Sequence, residues 1–227
     1  MNKYKILIFD LDDTLIDNLE NVRYAYTKMI ESIGKEYSED GFKKWYEVDK
    51  KFWKDWQDGL IELPFHLKNE CGKKSEEFLN WVRAQRVLIY FDNQVSLEKA
   101  IELNNLFMNS LTEVVVAIDG AYDILKYLKE KYYIIVATNG PKIATKDKLS
   151  KIKCLDLVNE VLSADMFGYM KPRKEFFEAI QNLLKNVGFA MNCEFDSCWF
   201  NKNNEELTEQ YKPTMVIKKL KELKKVL

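Results

Sequence analysis

The spacing of apolar positions changes twice along the chain, and those changes divide it into a split α/β core and a long helical insert. Tyr4 to Phe9 is a short, nearly continuous apolar run, so a first strand is expected there. From about residue 18 to 115 strand alternation disappears and apolar residues recur at three- and four-residue spacing. Val22, Tyr26, Met29, Ile30 and Ile33 make one helical stripe, closed by Gly34 as a C-terminal signal. An aromatic stretch follows with Phe42, Trp45, Tyr46, Phe52, Trp53 and Trp56, then Leu60-Ile61 and a break at Pro64. Trp81, Val82, Val87, Leu88 and Tyr90 continue the pattern, and Leu97, Ile101, Leu103, Leu106, Phe107 and Leu111 end it. Rings at helical spacing are expected to fill the core of a bundle, although their faces could also stack a planar base.

Strand signals return beyond the insert. A helix over Ala121 to Lys129 leads into the apolar run Tyr132 to Ala137, and a third strand is expected over Leu157 to Leu162. Another helix should run from Lys174 to about Lys185. The Lys-rich end, Lys218 to Lys225, reads as the wet face of a terminal helix carrying Ile217, Leu220, Leu223 and Leu227 inward. Residues 1–17 and 116–227 are therefore expected to form the α/β core, and residues 18–115 an all-helical domain inserted into it.

Composition narrows the function classes. The chain has 227 residues, 47% of them hydrophobic, enough for a substantial core. Its formal net charge is -1, which supplies no basic footprint for a nucleic acid duplex. No apolar run approaches the roughly 20 residues that span a bilayer, so a cytoplasmic protein without membrane partners is expected. Cys71, Cys154, Cys193 and Cys198 lack paired C-x-x-C spacing, and the single histidine, His66, argues against a structural zinc site or a histidine-based triad.

Candidate chemistry begins at the end of the first strand. Alternate side chains of a strand share a face, so Asp10 and Asp12 can converge just beyond the carboxyl edge, where open α/β sheets bind ligands. Two adjacent carboxylates call for a divalent metal, or for a nucleophile with a proton-carrying partner, or both. The second core strand ends in Thr138-Asn139-Gly140, where a hydroxyl, exposed amides and a glycine make a phosphate cradle. After the third strand come Gly168-Tyr169-Met170-Lys171-Pro172, with proline near a helix start fixing where the lysine leaves the chain.

Asp10-Leu11-Asp12-Asp13-Thr14, Thr138 and the Gly-x-x-Lys-Pro pattern ending at Lys171-Pro172 resemble, in order and context, three motifs of the haloacid dehalogenase superfamily. The resemblance implies a doubly wound parallel sheet with an inserted helical cap. It also implies a magnesium-dependent phosphatase acting on a small phosphorylated metabolite. On it, Asp10 would be the nucleophile and Asp12 the general acid and base. Thr138, the Asn139 amide and Lys171 would hold the phosphoryl group, with Asp10 and Asp12 at the metal. The tract Phe195-Asp196-Ser197-Cys198-Trp199-Phe200-Asn201 is further similar to pyrimidine 5'-nucleotidases, which points to a nucleoside 5'-monophosphate.

One departure from the family pattern matters. The interval from Lys171 to Trp199 is short by roughly fifteen residues, enough for one core strand and its loop. The Gly-Asp motif that the family uses to hold magnesium is therefore expected to be missing, with Glu194 and Asp196 as the nearest carboxylates. This implies a core shortened by one strand and a weakly held metal. It also leaves alternatives open: a catalytically impaired relative that binds a phosphorylated ligand or partner, or a sugar-phosphate phosphatase or phosphomutase.

Overall fold

The computed structural model describes residues 4–61, 76–186, 195–206 and 212–227. Contacts divide the chain into two units, Met1–Asn18 with Val115–Leu227, and Leu19–Val114.

In the first unit β1 (Ile6–Phe9), β2 (Tyr133–Thr138) and β3 (Glu160–Ser163) form a parallel sheet in that order. Phe9 pairs with Val136, and Thr138 with Ser163. Successive side chains of β2 feed two different cores, as strand geometry requires. Ile134 and Val136 join Phe9, Leu11, Leu15 and Ile124 on one face. Ile135 and Ala137 join Leu162, Phe176 and Ile180 on the other. The first face is covered by α5 (Ala121–Lys129), which buries Ile124, Leu125 and Leu128 at three- and four-residue spacing. The second is covered by α8 (Lys174–Asn186). Helices on both faces of a parallel sheet make the doubly wound arrangement. Two further helices follow the strand ends, α6 (Lys142–Lys151) after β2 and the short α7 (Ala164–Phe167) after β3.

A second sheet pairs β4 (Cys198–Phe200) with β5 (Met215–Ile217), also in parallel. Ile217 is thus the last residue of a strand and not part of a terminal helix. Sequence spacing near the chain end could not reveal its ladder partner. The end itself is a 3-10 turn over Leu220–Glu222 followed by α9 (Leu223–Val226), with Leu220 and Leu223 buried as the pattern suggests.

The second unit is helical: α1 (Asn18–Glu31), α2 (Glu39–Gln57), α3 (Glu76–Tyr90) and α4 (Leu97–Ser110). Gly34 adopts a left-handed φ of 72° just after α1, the role expected of a C-terminal glycine. Ser38 and Ser96 cap α2 and α4 by accepting the Gly41 and Lys99 amides at 3.1 and 3.2 Å. Tyr26, Phe42, Trp45 and Phe107 are buried together, so these rings serve as core. No helix among the described residues is long and apolar enough to cross a membrane. Pro64 and His66 lie outside the described residues.

Candidate active site

Parallel strands share a direction, so the carboxyl ends of β1, β2 and β3 meet at one sheet edge. Asp10 follows β1 directly, and Thr138 is the last residue of β2. The chain then turns sharply: the Leu11 carbonyl accepts the amides of Thr14, Leu15 and Ile16 at 3.2, 2.8 and 3.1 Å. Asp13 takes a left-handed φ of 59°, which aspartate tolerates better than most residues. Leu11, Leu15 and Ile16 are buried and anchor the turn, while Asp10 stays exposed and Asp12 half-buried.

Asp10 has one committed oxygen. Its Oδ1 accepts the Leu11 amide at 2.8 Å and the Lys171 ammonium at 2.6 Å. Its Oδ2 has no hydrogen-bond partner among the described residues. Lys171 also donates to the Ala137 carbonyl at 2.7 Å, which leaves one N–H of three uncommitted. The lysine is itself clamped, its amide donating to Asn139 Oδ1 at 2.7 Å and Asn139 Nδ2 donating to its carbonyl at 3.1 Å. The motif by itself points only to the Asn139 backbone amide. The side chain's hold on Lys171 adds a positioning role that no local motif signals.

Thr138 is buried, and its Oγ1 accepts the Gly140 amide at 3.0 Å, leaving its own proton free for donation. Asp12 Oδ1 accepts the Lys148 ammonium at 3.0 Å. Lys148 stands outside all three sequence motifs. The available signal was helical phase: Lys148 stands three residues after Thr145 and next to Leu149, on the face that α6 buries.

The charges are unevenly solvated. Burial by the surrounding protein raises the Asp10 carboxyl above its ordinary value, opposed by the Lys171 ammonium and assisted slightly by the Asp12 charge. The Asp10 side chain is nonetheless 47% exposed, so the protein encloses it from behind while its open side moderates the shift. Lys148 is more enclosed, at 11% side-chain exposure.

Of the two carboxylates expected near the Gly-Asp motif, Asp196 does not gather here. Glu194 lies outside the described residues. Asp196 accepts the Tyr4 hydroxyl at 2.6 Å and the Thr214 hydroxyl at 3.3 Å, which ties it to the amino end of β1, opposite Asp10. Among the described residues no three His, Cys, Asp or Glu side chains cluster closely enough to hold a metal ion. Asp10 and Asp12 still offer hard oxygens. Magnesium can bind through one or two carboxylates and complete its shell with water and phosphate, so this donor set fits the ion in kind but sparsely.

Residues 4–191 match the family model of haloacid dehalogenase-like hydrolases. The chain is 21% identical to the HAD-hydrolase YfnB of Bacillus subtilis, over 243 aligned positions covering 100% of this chain and 97% of the relative. It is 23% identical to the pyrimidine 5'-nucleotidase YjjG of Escherichia coli, covering 99% and 98%. It is 25% identical to the pyrimidine 5'-nucleotidase PynA of Streptococcus pneumoniae, covering 93% and 90%. The crystal structure of YfnB bound to magnesium superposes with a TM-score of 0.83 at 19% identity, covering 100% of this chain and 99% of that one.

Proposed function

Because the chain belongs to the haloacid dehalogenase-like hydrolases, we propose that it hydrolyses small phosphate monoesters, nucleoside 5'-monophosphates foremost, through a phosphoryl group carried on Asp10. The observation that carries this reading is the division of labour within the Asp10 carboxylate. One oxygen is held by the Leu11 amide and Lys171, and the other is uncommitted at an accessible strand end.

In this mechanism Asp10 Oδ2 attacks phosphorus and the ester oxygen leaves with a proton from Asp12. Asp12 then takes a proton from a water that attacks the same phosphorus, releasing phosphate and restoring Asp10. Lys171, the Thr138 hydroxyl and the Asn139 amide meet the non-bridging oxygens, where charge develops. Asp10 and the backbone carbonyl of Asp12 would hold magnesium, which when bound supplies the positive charge that lets an anionic ester approach a carboxylate. The substrate class draws its support from the two 5'-nucleotidase relatives.

Asp10→Asn is the direct test. Phosphate release from a pyrimidine nucleoside 5'-monophosphate should fall by a factor on the order of 10³ or more, with the melting temperature nearly unchanged. A variant that keeps a rate close to wild type would remove Asp10 from the chemistry.

The sparse donor set leads to a second expectation, that magnesium binds weakly and turnover is feeble even at high magnesium. Activity should vanish in EDTA and return only at high magnesium concentration. Tight binding with vigorous turnover would mean that another carboxylate completes the site. Complete inactivity alongside saturable binding of a phosphorylated ligand would favour the non-hydrolytic reading.

A further inference from the structure

The turn after β1 carries three carboxylates, and each already has a cation. Asp10 Oδ1 takes the Lys171 ammonium at 2.6 Å, Asp12 Oδ1 that of Lys148 at 3.0 Å, and Asp13 Oδ1 that of Lys202 at 3.0 Å. The lysines come from separate places: Lys148 from α6, Lys171 from the connection after α7, and Lys202 from the turn after β4. None has a second carboxylate partner among the described residues.

Exposed ion pairs often contribute little, because two long side chains must be immobilised to form them. These lysines are held independently of their partners. Lys148 lies on the buried face of α6. The backbone of Lys171 is clamped by the Asn139 side chain. Asn201 does the same for the turn that presents Lys202: its Oδ1 accepts the Glu205 amide and its Nδ2 donates to the Glu205 carbonyl, both at 2.8 Å. Asn201 is itself buried, so that turn is anchored in the unit.

Three aspartates against three ammonium groups leave these pairs with no net charge. Charge–charge energy scales with the product of the charges, so a dication gains from a negative excess that a phosphate dianion would be repelled by. These pairs give magnesium no excess to join and give a phosphate no repulsion to overcome. The unused donors favour the anion further, since the third N–H of Lys171 and the hydroxyl proton of Thr138 have no acceptor among the described residues. Magnesium, for its part, commonly completes its shell from the oxygens of a bound phosphate.

We propose that Lys148 and Lys202 are tethered counter-cations that set an order of binding: the phosphate group of the ligand enters first and without metal, and magnesium joins afterwards on the oxygens the phosphate brings. The inference rests on the reading of the β1 end as a phosphoryl site. It adds to the scarcity of metal ligands a separate cause of weak metal binding. Scarcity alone leaves magnesium affinity indifferent to these two lysines, whereas charge neutrality makes them its antagonists.

The test is calorimetry on the intact chain with inorganic phosphate and magnesium as probes, so that no readout depends on turnover. Phosphate should bind saturably in EDTA. Magnesium should bind the phosphate complex at least tenfold more tightly than the free protein, and by linkage should strengthen phosphate binding by the same factor. Lys148→Met and Lys202→Met should each raise the magnesium affinity of the free protein by roughly tenfold, while Lys148→Arg and Lys202→Arg keep it near wild type. Lys202 is the more exposed of the two, so its variant stays informative if Lys148→Met fails to fold. Equal magnesium affinity with and without phosphate would overturn the proposal, as would magnesium affinity unchanged in both methionine variants. Tight magnesium binding to the free protein would also overturn it, by showing that an unpaired carboxylate such as Glu194 reaches the site. Phosphate binding only in the presence of magnesium would overturn this order alone, and no phosphate binding under any condition would remove the phosphoryl site as well.

Discussion

The helical unit and the α/β unit each contain an aspartate paired with a basic side chain, and the pairs differ in what surrounds them. In the helical unit Arg86 donates to Asp49, to Asn104 Oδ1 at 2.8 Å, to Met108 Sδ at 3.8 Å and to the Arg83 carbonyl at 3.2 Å. The rings of Trp45, Trp53 and Phe107 lie within 5.6 Å of its guanidinium. Its side chain is 3% exposed and that of Asp49 16%. At the end of β1, Lys171 and Asp10 are 21% and 47% exposed, and each keeps a hydrogen-bonding position unused. An enclosed pair can only hold structure together, whereas an accessible pair with an uncommitted oxygen can accept a ligand. Residue types alone do not separate the two cases; the surroundings do.

That contrast can be broken by exchanging which property each pair supports. Lys171→Met should cut kcat/KM by a factor on the order of 10²–10³ while leaving the urea midpoint near wild type, because in the proposed mechanism the ammonium meets developing phosphoryl charge. A near-normal rate with lowered stability would place this pair in the structural class. Arg86→Met should do the reverse, costing the helical unit about 2–3 kcal/mol because Asp49 loses its partner in a mostly dry site. Adding Asp49→Leu should recover most of that loss, and urea titrations followed by circular dichroism would show whether it does.

Lys148 sharpens the comparison, since its pair with Asp12 is intermediate, at 11% and 35% exposure. If Lys148 orients Asp12, Lys148→Met should lower kcat about tenfold with little change in KM, and Lys148→Arg should recover part of it. Equal losses of kcat and stability, with no rescue by arginine, would make Lys148 a packing residue.

What the sequence determined by itself were features set by short-range spacing. The two-residue interval of Asp10 and Asp12 after an apolar run, the hydroxyl of Thr138 at a strand terminus and the helix over Ala121–Lys129 all follow from strand or helix periodicity. The buried stripe of α1 and the glycine after it were legible for the same reason. The tertiary structure alone decided which distant groups meet. Lys148 reaches Asp12 across 136 positions, and the Asn139 side chain reaches the Lys171 backbone across 32. Asp196, near the site in motif order, is carried by β4 to the opposite end of β1. Periodicity fixes which face of an element is apolar, but the meeting of two elements depends on crossover direction, strand order and helix rotation, which are set only when the whole core packs.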